Sequence, residues 1–247
     1  MPVTRLYHSE NLSCGETTLL NADASSHLIR VLRTKTGSPI VLFNGDGFDY
    51  HCKTLNDNVK QTLVAIESKI ESSKESSLNI TLIQGLSRQN RMEFSIQKSV
   101  ELGVNKIIPV MCERSNIKIT KDKQEKKLAH WRKVAISACE QSGRNIIPDV
   151  TETVTFDNIN SVLNNHALKL VLNPETGISL RQIELNQATS GKNIEVMIGP
   201  EGGLTEDEIA FLQNSHFNNI CFGPRILRTE TAGPAVISAL QMLWGDY

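Results

Sequence analysis

Apolar positions in the first seventy residues fall in short runs with turn residues between them. Val3–Tyr7, Thr17–Leu20, Ile40–Asn44 and Gln61–Ile66 read as strands, rich in β-branched and aromatic residues. Asn44-Gly45-Asp46-Gly47 is a hairpin-type turn. His27/Leu28 and Val31/Leu32 recur at helical spacing and predict one helix over about Asp23–Thr34. A small barrel fits this pattern. The polar, serine-rich stretch from Glu67 to Ser77 reads as a linker and places a boundary between residues 1–72 and 73–247.

Beyond Leu78 the pattern changes to alternating strands and helices. Leu78–Gln84, Lys106–Met111, Leu168–Leu172, Ile194–Ile198 and Asn219–Phe222 are compact apolar runs of the kind buried on both faces of a sheet. Helical stripes run through Met92, Ile96 and Val100, and through Leu128, Trp131, Val134, Ala135 and Ala138. Thr205-Glu-Asp-Glu208 is a capping box that opens a third helix, with Ile209 and Leu212 behind it. A last helix carries Val236, Ala239, Leu240 and Leu243, with Pro234 expected in its first turn. Alternating β and α elements imply an α/β fold with a parallel or mostly parallel sheet.

Composition adds little to this picture. The 247 residues are 39% hydrophobic and 21% charged, ordinary for a globular protein. No apolar stretch approaches the ~20 residues of a membrane span. The start of the chain carries no signal-type apolar run, so a cytoplasmic location is expected. Cys14, Cys52, Cys112, Cys139 and Cys221 are scattered and unpaired in spacing, which predicts buried structural thiols rather than disulfides or a metal site.

Charge is more informative, because the net value of −1 hides an asymmetry. Residues 76–150 hold 13 Lys/Arg against 7 Asp/Glu, and residues 151–247 hold 5 against 11. A basic block in a near-neutral chain suits a polyanion-binding face. A solvated helix surface would show the same charges.

Candidate chemistry lies in three segments that leave late strands directly: Leu172-Asn-Pro-Glu-Thr-Gly177, Ile198-Gly-Pro-Glu-Gly-Gly-Leu204 and Phe222-Gly-Pro-Arg-Ile-Leu-Arg-Thr-Glu-Thr-Ala232. Ligands of open α/β sheets bind beyond the carboxyl ends of strands. Glycine and proline there stiffen the turns and bring backbone close to a ligand. One Gly-Pro turn is common punctuation; three such segments in a third of the chain suggest a site. The sequence holds no phosphate-binding P-loop, no G-x-G-x-x-G after a strand and no G-x-S-x-G elbow. A base-and-sugar ligand without phosphate suits these segments, and S-adenosylmethionine is one.

Ile198-Gly-Pro-Glu-Gly-Gly203 followed by Gly223-Pro-Arg-Ile-Leu-Arg-Thr-Glu-Thr-Ala232 closely resembles the signature of the RsmE family, the 16S ribosomal RNA (uracil-N3)-methyltransferases. Further matches are His27-Leu-x-x-Val-Leu-Arg33 with Gly37, Glu101-Leu-Gly-Val104 with Pro109, Glu113-Arg-Ser115, Trp131 with Arg132, and Ala138-x-Glu-Gln-Ser-Gly-Arg144 with Pro148. They cover nearly the whole chain in order. The resemblance implies a PUA-like RNA-binding β-barrel over residues 1–72 and a trefoil-knotted SPOUT methyltransferase domain over residues 73–247. It also implies S-adenosylmethionine as cofactor, no metal, a homodimer with its site near the subunit interface, and 16S ribosomal RNA of the small subunit as partner.

Carried onto this chain, the resemblance assigns cofactor contacts to Leu172, Asn173, Pro174, Ile198, Gly199, Pro200, Glu201, Gly202, Phe222, Gly223, Ile226, Leu227, Arg228 and Thr231. Catalytic candidates are Arg228, Glu230, Thr231 and Glu201. Methyl transfer needs alignment rather than a covalent nucleophile, and the uracil N3 proton calls for a base or an anion-stabilising cation. The alternative for Glu230 is a structural role, pairing with Arg228 or capping the last helix. Arg5, Arg30, Arg33, Arg114, Gln141 and Arg144 are candidates to meet RNA, with Arg30 and Arg33 sharing one side of a helix at i, i+3. His27 reads as ordinary packing. Two other readings stay open: another SPOUT activity, such as ribose 2′-O methylation of transfer RNA, and a non-catalytic RNA-binding or assembly factor.

Overall fold

A computed structural model of the chain describes residues 3–72, 74–183 and 192–247. Residue 73, where the expected second domain begins, and the first two residues of the expected first domain lie outside the described residues. The chain forms two compact units: Met1–Glu75 with Cys139–Ile147, and Ser76–Ala138 with Pro148–Tyr247.

In the first unit, β1 (Thr4–Tyr7), β2 (Thr17–Leu19), a short helix α1 (Ala22–Ser26), β3 (Pro39–Phe43), β4 (Phe48–Thr54) and β5 (Leu63–Glu71) follow in sequence. The strand order is β1-β3-β4-β5-β2, with β1 parallel to β3 and the other pairs antiparallel. The two outer strands approach each other, because His8, which follows β1, lies 3.2 Å from the Thr18 hydroxyl of β2. Leu6, Leu28, Ile40, Leu42, Tyr50 and Val64 fill the interior.

Four expectations for this unit change. The expected Asp23–Thr34 helix is α1 followed by a π-helical turn over His27–Val31, in which the Leu32 amide donates to the His27 carbonyl at 3.0 Å. His27 is exposed rather than packed. Arg33 has left the helix with φ +54°, so it does not share a helical side with Arg30. The serine-rich segment is strand through Glu71, since β5 pairs with β4 to Phe48↔Glu71. Lys69 there lies over the Phe48 ring at 3.7 Å, a cation–π contact.

The second unit holds β6 (Asn79–Gly85), α2 (Gln89–Glu101), β7 (Lys106–Met111), α3 (Lys121–Ser142, whose last residues count with the first unit), β8 (Asp149–Val150), β9 (Val154–Thr155) and β10 (Leu168–Leu172). It continues with β11 (Ile178–Ser179), β12 (Asn193–Ile198), α4 (Glu206–Asn214), β13 (Asn218–Cys221) and α5 (Thr229–Trp244). Its sheet runs β11-β13-β10-β12-β6-β7-β8 with β9 beside β7, and every pairing is parallel. Buried Ile80, Leu82, Ile107, Val110, Leu170 and Val196 give the strands their two apolar faces.

The capping box is formed in full: the Thr205 hydroxyl accepts from the Glu208 amide at 3.1 Å, and the Glu208 carboxylate accepts from the Thr205 amide at 2.9 Å. Pro234 is the sixth residue of α5, not in its first turn, and it leaves the Glu230 carbonyl without a helical donor. Of the cysteines, Cys52, Cys112 and Cys139 are buried, while Cys14 is exposed and Cys221 half-buried. Among the described residues no helix is long and apolar enough to cross a membrane, and no three His, Cys, Asp or Glu side chains group as metal ligands.

Candidate active site

Strand order decides where the three glycine- and proline-bearing segments end up. β13, β10 and β12 are adjacent and parallel, so the segments that follow them emerge side by side at one edge of the sheet. Together they enclose a cavity of about 650 Å³, within the ~300–1,000 Å³ usual for small-molecule sites.

Leu172, Asn173 and Pro174 from the first segment, Ile198 to Gly202 from the second, and Phe222 with Ile226 to Arg228 from the third all line this cavity. Gly223 and Thr231 do not line it, and Thr231 is exposed. Glu230 also lies off the wall, but it pairs with a residue on it, Arg91, at 3.8 Å. Ile226 is 83% exposed, so it is an open lip of the cavity rather than core.

The first two segments are pinned by close backbone approach. The Asn173 amide donates to the Ile220 carbonyl at 2.9 Å, and a Cβ on Gly177 would sit 2.2 Å from the Ile220 carbonyl carbon. A Cβ on Gly85 would lie 2.5 Å from the Pro200 nitrogen. Gly203 turns with φ +74° and donates to the Pro200 carbonyl at 2.9 Å. Gly202 packs against Arg114, whose guanidinium is 3.4 Å from the Leu204 carbonyl.

Behind the wall runs a buried polar chain. The Ser95 hydroxyl donates to Gln84 Oε1 at 2.8 Å, and Gln84 Nε2 donates to the Thr229 hydroxyl at 3.0 Å. Thr229 in turn donates to the Gly199 carbonyl at 2.6 Å. Gln84, Ser95 and Thr229 are all buried. In so dry a place each member needs its partners, so the chain fixes the orientation of the Gly199–Pro200 peptide.

Glu201 is tied on both oxygens. Oε1 accepts from the Arg88 amide at 3.2 Å and faces Arg91 Nη1 at 3.1 Å, and Oε2 accepts from Asn116 Nδ2 at 2.9 Å. Burial pushes its pKa up, but the bonds from Asn116 and the Arg88 amide, with the Arg91 and Arg88 charges, hold it below the ordinary carboxylate value. Arg228 precedes α5 and is exposed; among the described residues its guanidinium makes no hydrogen bond or ion pair.

Arg91, Gln84, Ser95 and Thr229 were not singled out from the sequence. The available signals were a polar residue ending the apolar run of β6 and a serine inside the apolar stripe of α2. Of the RNA candidates in the first unit, Arg30, Arg33 and Gln141 are exposed, as is Arg114 in the second. Two others are corrected. Arg5 forms a bidentate pair with Asp49 at 2.6 and 2.9 Å. Arg144 is 3% exposed, with its Nε 2.9 Å from Glu75. Both guanidiniums are spent inside the first unit, which removes them from a solvent-facing role.

A parallel α/β sheet with a glycine-lined cavity at its strand ends is, in this chain, an RNA methyltransferase domain: the family of that description matches residues 74–241, and an RNA methyltransferase PUA domain matches residues 20–54. Ribosomal RNA small subunit methyltransferase E of Buchnera aphidicola subsp. Acyrthosiphon pisum is 31% identical over 99% of this chain and 95% of its own. The chain belongs to the ribosomal RNA small subunit methyltransferase E family. The enzyme of that name from Bacillus subtilis is 30% identical over 89% of each chain. Its namesake from Neisseria gonorrhoeae, crystallised bound to S-adenosyl methionine, superposes with a TM-score of 0.91 at 37% identity over the full length of both chains. A protein from Legionella pneumophila, also solved in complex with that cofactor, gives 0.94 at 36% identity over both full lengths.

Proposed function

We propose that this chain transfers the methyl group of S-adenosylmethionine to N3 of a specific uridine in 16S ribosomal RNA of the small subunit. The observation that carries this reading is the convergence of three stiffened segments on one cavity at the ends of adjacent parallel strands. The wall fits a phosphate-free adenosyl group: Leu172, Ile198, Phe222 and Leu227 offer apolar surface, and the glycines bring backbone close.

S-adenosylmethionine supplies an electrophilic methyl on a sulfonium. The chain's task is alignment and charge. The Ser95–Gln84–Thr229 chain holds Gly199, and with it the floor of the cavity. Alignment of this kind accounts for much of the acceleration of a two-reactant displacement. Arg228 stands at the cavity with an unengaged guanidinium, suited to an RNA phosphate or to negative charge developing on the uracil. Glu201, with both oxygens occupied, braces the wall. Arg30, Arg33, Gln141 and Arg114 remain the candidates for RNA contact, and the first unit serves as the PUA-like RNA-binding part. The reading includes a trefoil-knotted SPOUT chain path, a homodimer with its site near the interface, and a cytoplasmic location.

Calorimetry is expected to give saturable binding of S-adenosylmethionine. Primer extension on 16S ribosomal RNA stops at a base methylated on N3. A strain lacking this gene is expected to lose one such stop, and a stop that persists contradicts the reading.

A further inference from the structure

Arg91, in the first turn of α2, reaches two carboxylates from different parts of the chain. Its Nη1 is 3.1 Å from Glu201 Oε1, and its Nε is 3.8 Å from Glu230 Oε1. The two acids differ in what remains open. Both oxygens of Glu201 are engaged. Glu230 Oε2 is buried and, among the described residues, has no hydrogen-bond partner, although its side chain is 14% exposed. A buried carboxylate oxygen left bare in this way is costly unless something arrives to bond it. The neighbouring residues, Arg228 and Thr229, line the cavity.

We propose that Arg91 is a positioning residue for methyl transfer, tying Glu201 to Glu230 so that Glu230 Oε2 receives the N3 proton of the target uracil. This rests on the uridine-N3 reading above. The N3–H bond breaks towards Glu230 Oε2, and its electron pair forms the bond from N3 to the methyl carbon. The methyl–sulfur pair stays on sulfur, which leaves as the neutral thioether of S-adenosylhomocysteine. The sulfonium and carboxylate charges both vanish, so the step balances. The charged group paired with Glu230 is Arg91 from α2, which it shares with Glu201 from the segment after β12. Arg91 holds the acceptor against α2.

The test uses the full chain, S-adenosylmethionine and small ribosomal subunits lacking the methyl group. Calorimetry gives the cofactor Kd, and methylation gives KM and kcat across pH. Arg91→Gln is expected to leave the cofactor Kd within about threefold while kcat falls by about tenfold or more, because the acceptor is no longer held in place. Arg91→Lys is expected to restore most of kcat. Glu230→Gln is expected to lose about a hundredfold or more in kcat and to abolish the acid limb.

An Arg91→Gln enzyme with wild-type kcat overturns the proposal. So does a loss that follows cofactor Kd alone, or an Arg91→Lys enzyme as slow as the Gln variant. Should Arg91→Gln fail to fold, the Glu230→Gln profile decides, and a retained acid limb overturns the proposal. A wild-type protein that binds cofactor but methylates no uridine overturns the parent reading instead.

Discussion

The hydroxyl of Thr229 donates to the carbonyl of Gly199 at 2.6 Å, joining the first residue of α5 to the segment that leaves β12. The same hydroxyl accepts from Gln84, so losing it strips two bonds at once. Thr229→Val keeps the volume and removes the hydroxyl, leaving the Gln84 amide short of an acceptor. The variant is expected to lose ~1–3 kcal/mol and to bind S-adenosylmethionine about tenfold more weakly. Denaturant unfolding and calorimetry check both, with Thr229→Ser expected near wild type.

Gly85 is the second point where the cavity tolerates no change. Its missing Cβ would fall 2.5 Å from the Pro200 nitrogen and 2.8 Å from the Gly199 carbonyl carbon, both backbone. Gly85→Ala must therefore push the segment after β12 outward, at a cost of ~1–3 kcal/mol for overpacking. A lowered denaturant midpoint together with weaker cofactor binding is the expected pair of results.

How much of this was legible beforehand depended on burial. β7 and β10 appear with the bounds their apolar runs suggest, because strands buried on both faces show as uninterrupted hydrophobic sequence. β4 was not recognised, since Asp49, His51 and Lys53 interrupt it. Asp49 is buried all the same, because it pairs with Arg5, 44 residues away. That distance is also why Arg5 reads as an RNA contact from charge alone, as does Arg144, whose partner Glu75 is 69 residues off. The three cavity segments were visible as glycine and proline punctuation. The polar chain behind them was not, because Gln84 and Thr229 lie 145 residues apart and a period carries no information about such a bond.

Acid stability is expected to report on Glu201. Its folded pKa lies below the ordinary 4.5, so it contributes stability that is fully present above 4.5 and is lost as pH falls through the lower folded value. Glu201→Gln removes a group that titrates there. Its melting temperature is expected to decline less steeply than that of the wild type below pH 4.5, measured by thermal unfolding across pH. Parallel curves contradict the assignment.

Thiol chemistry gives a check that needs no cofactor. Burial raises Cys52 and Cys139 to about 12 and pushes Cys112 up as well. Native protein treated with iodoacetamide is expected to be alkylated at exposed Cys14, with Cys52, Cys112 and Cys139 protected until denaturant is added. Peptide mass spectrometry reads this directly.

The most direct test of the whole account is nucleoside mass spectrometry of 16S ribosomal RNA after unmethylated small subunits are incubated with the purified chain and labelled S-adenosylmethionine. The account predicts label in 3-methyluridine at one position, lost when Glu230 is replaced by Gln. Label in a ribose 2′-O-methyl group, or no label at all, contradicts it.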